Sequence, residues 1–178
     1  MSKGAAWWRV GDQNQESHSN TRHIWMLVKH DYVDPVNFVC PGRENCKMVK
    51  ILSAEVENLR DFPARENITY SLQLICDKSR DKTYQPKALM ADLNPLFETL
   101  PNNSTSLLNI RLNKELLTSN SANHNRRGQN VLFGNGSVSF IKDRKVDISN
   151  DDIFTLKNTN YYQGTEVPDG DSDSFLVP

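Results

Sequence analysis

Asn135-Gly136 stands between two runs of alternating apolar and polar residues within Gln129–Lys142. Both central positions of a type I′ turn need positive φ, and Asn-Gly accepts this most readily. Pairing outward from a two-residue loop sets Phe133 opposite Val138 and Val131 opposite Phe140. All four then share one face, so turn chemistry and hydrophobic register agree on a β-hairpin.

The rest of the chain reads as short elements between polar loops. Residues 1–18 are irregular, with Trp7 and Trp8 as core caps or as a seat for an upstream helix. A helix is predicted over 20–31, capped by Ser19 or Asn20, with Ile24, Leu27 and Val28 on its inner face. Asp34-Pro35 ends it. Phe38-Val39-Cys40 reads as extended, and residues 53–60 as a second short helix with Ser53 at its N-cap. Ile68, Tyr70, Leu72 and Leu74 alternate with Thr69, Ser71 and Gln73, the signature of a strand. Ala88-Leu89-Met90-Ala91 reads as a buried central strand, and Ile153-Phe154-Thr155-Leu156 as a last one. Residues 78–82, 101–106 and 118–130 are polar or charged loops, and 164–178 a mobile acidic tail. The prediction is one α+β domain over 1–178: a small antiparallel sheet, short N-terminal helices and long polar loops.

A longer stretch resembles a known family. His124, Gly128, Gln129, Asn130, Val131, Leu132, Phe133 and Gly136 match the processing-associated domain of bacterial prepilin-like proteins. Its motif reads His…Gly-Gln-Asn-Val-Leu-Phe-Ala-Asp-Gly-His-Val. Gly134, Asn135 and Ser137 stand where that motif has Ala, Asp and His. The resemblance extends through Asn20–His23, Leu27–Lys29, Tyr32–Pro35, Phe38–Pro41, Ile68–Ser71, Ala91–Pro95, Asp152–Thr155 and Asp173–Pro178, and so covers residues 7–178. It implies a pilin-like or pseudopilin-like globular head, with pilin-like subunits or secretion-system proteins as partners. Residues 1–8 lead into polar sequence, without the family's leader, cleavage site or long apolar helix. The chain then corresponds to the soluble portion of a longer product or to a relative that has lost its anchor. Any membrane contact would run through such a helix, and the implied location is periplasmic, cell-surface or extracellular.

Charge narrows the partners. With 21 basic and 22 acidic residues the net charge is −1, so no global field draws nucleic acid or an anionic membrane. Arg126-Arg127 is too small a basic spot for nucleic-acid binding. The matches to the glycosylation sequon at Asn67, Asn102, Asn103 and Asn135 are expected by chance in so Asn-rich a chain.

Candidate chemistry centres on His124, which is read as a structural tie, as a ligand or metal contact, or as a catalytic base. A base would need a nucleophile beside it, and no Gly-x-Ser-x-Gly elbow occurs. Asp92, in Ala-Asp-Leu-Asn-Pro, is expected to cap its strand through an Asx-turn. The alternative is a polar cluster of Asp92, Asn94 and His124. One His and one Asp are too few for tight transition-metal binding, so no such cofactor is expected. Cys40 and Cys46 are the disulfide candidates, with Cys76 left free and buried. Asp169, Asp171 and Asp173 form a weak Ca²⁺ candidate that lacks an EF-hand's Gly and Glu. The functional expectation is a non-catalytic structural subunit of a type II secretion or type IV pilus-like assembly. The alternative is a secreted ligand- or carbohydrate-binding module in which Trp7, Trp8 and Trp25 offer stacking faces.

Overall fold

The computed structural model describes residues 7–14, 19–43, 51, 53–74, 87–100, 108–146, 150–170 and 172–178. The predicted loops over 78–82 and 101–106, together with Cys46, Cys76 and Asp171, lie outside these residues.

The fold is mixed α+β. Its strands are β1 (Tyr70–Gln73), β2 (Ala88–Asp92), β3 (Ile110–Arg111), β4 (Gln129–Phe133), β5 (Val138–Ile141), β6 (Lys145–Val146), β7 (Asp151–Asp152), β8 (Tyr161–Tyr162) and β9 (Leu176–Val177). Five of them form an antiparallel sheet in the order β5-β4-β2-β1-β9, while β3-β8 and β6-β7 are two-stranded ladders. The run at Ala88 thus forms a central strand, as its apolar character predicts. Its outer half is open, however, with Leu89 41% exposed.

The hairpin forms in a different register from the predicted one. Leu132 faces Val138, Val131 faces Ser139 and Asn130 faces Phe140. The Gly136 N–H donates to the Phe133 carbonyl at 2.9 Å, and the Phe133 N–H donates to Ser137 O at 2.9 Å. Gly136 has φ +82° and Asn135 does not have positive φ. The loop is therefore Gly134-Asn135-Gly136, a turn closed by a left-handed glycine, not a two-residue type I′ turn. One extra loop residue slips the register by one and turns Val138 and Phe140 to the opposite face from Val131. Val131 is buried, while Val138 and Phe140 are 63% and 49% exposed.

The same slip shapes the sheet. Leu72, Met90, Leu132 and Val138 line up across β1, β2, β4 and β5, an apolar row on a half-open face. Ser71 and Gln73, the polar positions of the alternation, are buried on the other side. There Ala88, Ala91, Val131 and Leu176 pack on Val146, Ile153 and Phe154. Ser71 Oγ is not idle in that layer, because it accepts from the Asn94 N–H at 2.9 Å.

Two further clusters pack among the described residues. Trp7 meets Phe97 and Phe175 edge-on at 5.4 Å, and its indole N–H donates to the Glu166 carbonyl. Trp25 packs on Phe62 at 4.9 Å within a group that includes Val28, Phe38 and Ile68. Trp8 belongs to the same cluster as Trp7, and all three tryptophans are buried. Helix α1 (Arg22–Lys29) is shorter than predicted and starts after Thr21, with Trp25 and Val28 buried and Leu27 exposed. Asp34 begins a new 3₁₀ turn, Pro35–Phe38, by accepting from the Val36 N–H. Helix α2 (Ser53–Val56) sets Val56 against the Trp25 cluster, and α3 (Lys114–Thr118) is capped by Asn113.

The C-terminus is the largest departure from the sequence reading. Instead of a solvated tail, Asp173, Ser174, Phe175, Leu176 and Val177 are buried, and β9 pairs with β1. No helix among the described residues is long and apolar enough to cross a membrane.

Candidate functional site

Asp92, the last residue of β2, is completely buried. A carboxylate there needs donors, and the structure supplies them from the His124 loop and β4. Oδ1 accepts from the Asn123 side-chain amide at 2.9 Å. Oδ2 accepts from the Asn130 backbone N–H at 2.6 Å and lies 3.3 Å from Asn130 Nδ2 and 3.2 Å from His124 Nε2. Asp92 is thus the centre of a polar cluster, and the Asx-turn predicted for it belongs to Asn94. Asn94 Oδ1 accepts from the Leu96 N–H, while Nδ2 donates to the carbonyls of Phe154 and Leu176.

The His124 loop is built to reach Asp92. Ser121 caps the 3₁₀ turn Ala122–His124 by accepting from the Asn123 N–H. Asn125 and Arg126 follow with φ of +53° and +58°, conformations that reverse the chain within a few residues. Glu98 pins both sides of the reversal, accepting from the Ala122 N–H at 2.7 Å and pairing with Arg126 at 2.8 Å. Gly128 then runs so close to β5 that a Cβ there would lie 2.5 Å from the Ile141 carbonyl oxygen. Phe140, on the open face, meets the His124 ring edge-on at 5.6 Å.

Cys40 completes the cluster, and sequence reasoning assigned it elsewhere. It carries a free, buried thiol; its expected disulfide partner, Cys46, lies outside the described residues. Cys40 Sγ is 3.6 Å from His124 Nε2. Burial pushes the thiol up, opposed by hydrogen bonds from the Gly42 N–H and the Tyr70 hydroxyl, and Asp92 adds to the rise as a neighbouring charge and as an acceptor from the thiol. Burial likewise pushes the Tyr70 phenol up to about 12. The tight turn Cys40-Pro41-Gly42-Arg43, closed by the Arg43 N–H on the Cys40 carbonyl, sets Gly42 directly against the imidazole.

Cys40 Sγ, an Asp92 oxygen and His124 Nε2 all lie within 4.8 Å of one another. Sequence separation hid this set, since 52 residues part Cys40 from Asp92 and 32 part Asp92 from His124. One legible signal was that Cys40, Asp92 and His124 all fall within the segments noted for their resemblance to prepilin-like proteins. The geometry is not that of a nucleophilic relay. A relay places the nucleophile on one ring nitrogen and the carboxylate on the other. Here both converge on Nε2, and a thiol held protonated by burial is a poor nucleophile.

The remaining candidates separate from this cluster. Asn135 and Gly136 form the hairpin turn, with Asn135 Oδ1 accepting from the Ser137 N–H and hydroxyl. Asp173 turns inward, accepting from the backbone N–H groups of Lys157 and Asp169. Both its oxygens are therefore committed to backbone N–H groups, while Asp169 is exposed. Compared with protein-family models, with curated proteins and with solved structures, the chain has no significant match in any of the three.

Proposed function

We propose that this chain is the globular head of a non-catalytic structural subunit in a type II secretion or type IV pilus-like assembly. The observation that carries the reading is the apolar row Leu72, Met90, Leu132 and Val138 on the half-open face of the sheet, flanked by Phe140. Contiguous exposed apolar surface marks a contact site. A pleated face with aligned aliphatic side chains suits a packed helix of a neighbouring subunit. The resemblance of residues 7–178 to prepilin-like proteins supports the same reading. In it the His124 loop is scaffold: through Asp92 it ties β4 to β2 and holds the hairpin that carries half of the row. The periplasm or cell surface is the corresponding location. A carbohydrate site built on tryptophan faces has less support, because Trp7, Trp8 and Trp25 are all buried.

The test is photo-crosslinking in the bacterium that makes the protein. A photoreactive residue replaces Val138, 63% exposed on the sheet face, or Tyr32, 78% exposed just after α1. The reading predicts adducts to pilin-like subunits from position 138 and few from position 32. Adducts absent from position 138, or equal from both, contradict it.

A further inference from the structure

We infer that Cys40, Asp92 and His124 form a binding site for a divalent transition metal of the Zn²⁺ class. This goes beyond the assembly reading and does not depend on it.

Three potential ligand atoms, Cys40 Sγ, an Asp92 carboxylate oxygen and His124 Nε2, lie within 4.8 Å of one another. Cys40 Sγ lies 3.6 Å from His124 Nε2, and Asp92 Oδ2 lies 3.2 Å from the same nitrogen. Tetrahedral Zn²⁺ with its usual bond lengths sets sulfur and nitrogen about 3.5 Å apart, and nitrogen and oxygen about 3.4 Å apart. Two edges of the cluster thus match those of a coordination tetrahedron. The donor types agree, since thiolate, imidazole and carboxylate together suit Zn²⁺ and not Ca²⁺ or Mg²⁺.

The surroundings have the features of an outer shell. The Cys40 turn is seated directly against the imidazole, where a Cβ at Gly42 would lie 2.8 Å from His124 Nδ1. Asn123 Nδ2 and the Asn130 N–H fix the Asp92 carboxylate. Asp92 is inaccessible while His124 is 29% exposed, so the ion enters past the imidazole. Asn130 Nδ2 stands 2.8 Å from His124 Nε2 and 3.3 Å from Asp92 Oδ2. On binding, that amide turns so that Oδ1 faces the ion. The Cys40 thiol proton leaves to solvent as the sulfur–metal bond forms. Two donors were too few for tight binding; Cys40 makes a third.

The test uses the full chain after dialysis against a chelator. Co²⁺ is added first as a spectroscopic probe, then Zn²⁺ in competition. One bound Co²⁺ with a thiolate-to-cobalt charge-transfer band, lost on adding Zn²⁺, supports the site. The band should vanish in Cys40→Ser and persist in the double variant Cys46→Ser/Cys76→Ser. No band in the parent, a band that survives Cys40→Ser, or one lost in the double variant overturns the proposal. X-ray absorption on the Zn²⁺-loaded parent needs no variant. One sulfur at about 2.3 Å with nitrogen or oxygen neighbours supports the site, and a shell with no sulfur or with several overturns it.

Discussion

Gly42 and His124 touch so closely that a single methyl group would part them. A Cβ at position 42 would lie 2.8 Å from His124 Nδ1 and 2.8 Å from the Asn123 carbonyl oxygen. The glycine after Cys40-Pro41 thus lets the thiol-bearing turn close over the histidine loop. Gly42→Ala is expected to destabilise the fold by about 1–3 kcal/mol through overpacking. It should also shift the His124 ring resonances in an NMR spectrum. A urea melt and ring shifts matching the parent would show that the two loops do not meet.

The hairpin makes a sharper distinction than its sequence alone allows. Gly136 carries positive φ and Asn135 does not. Gly136→Val should therefore cost about 1 kcal/mol or more. Asn135→Ala should cost less, since it loses only exposed side-chain bonds to Ser137. Equal losses in thermal melts would restore the two-residue turn.

Alkaline pH should unfold the domain for a definable reason. Burial raises the Cys40 thiol and the Tyr70 and Tyr162 phenols above their ordinary values. Each group stays protonated in the folded chain while it ionises in the unfolded one, so its stabilisation is lost as pH rises. For Tyr70 the loss runs from the ordinary value of 10.0 to about 12. Denaturant midpoints should fall between about pH 8 and about pH 11, and fall less in Tyr70→Phe. A flat profile, or one unchanged by Tyr70→Phe, would contradict these burial assignments.

Local chemistry made the hairpin, the strand at Tyr70 and the central strand at Ala88 legible in the sequence. What stayed hidden depended on partners far along the chain. The hairpin register turned on one loop residue, because Asn-Gly fits both a type I′ turn and a longer loop closed by glycine. Alternation marked the Tyr70 strand but not which face would be covered. Ser71 lies buried because Asn94 needs its hydroxyl. The acidic residues near the C-terminus suggested solvent, yet Asp173 spends its charge on backbone N–H groups while Phe175 and Leu176 enter the core. The motif pointed to His124 and the end of the Ala88 strand to Asp92, whereas the thiol of Cys40 joins them only through the fold.

Asp92 and His124 act as one unit that fastens the histidine loop to the sheet. A double-mutant cycle with Asp92→Asn and His124→Gln, read by urea unfolding of the metal-stripped chain, tests this most directly. The 3.2 Å contact and the shared Asn130 partner predict that each single change is destabilising. They also predict a coupling energy of about 1–3 kcal/mol between the two. Losses that add to within about 0.5 kcal/mol would mean that the two residues act independently, and the shared site would have to be abandoned.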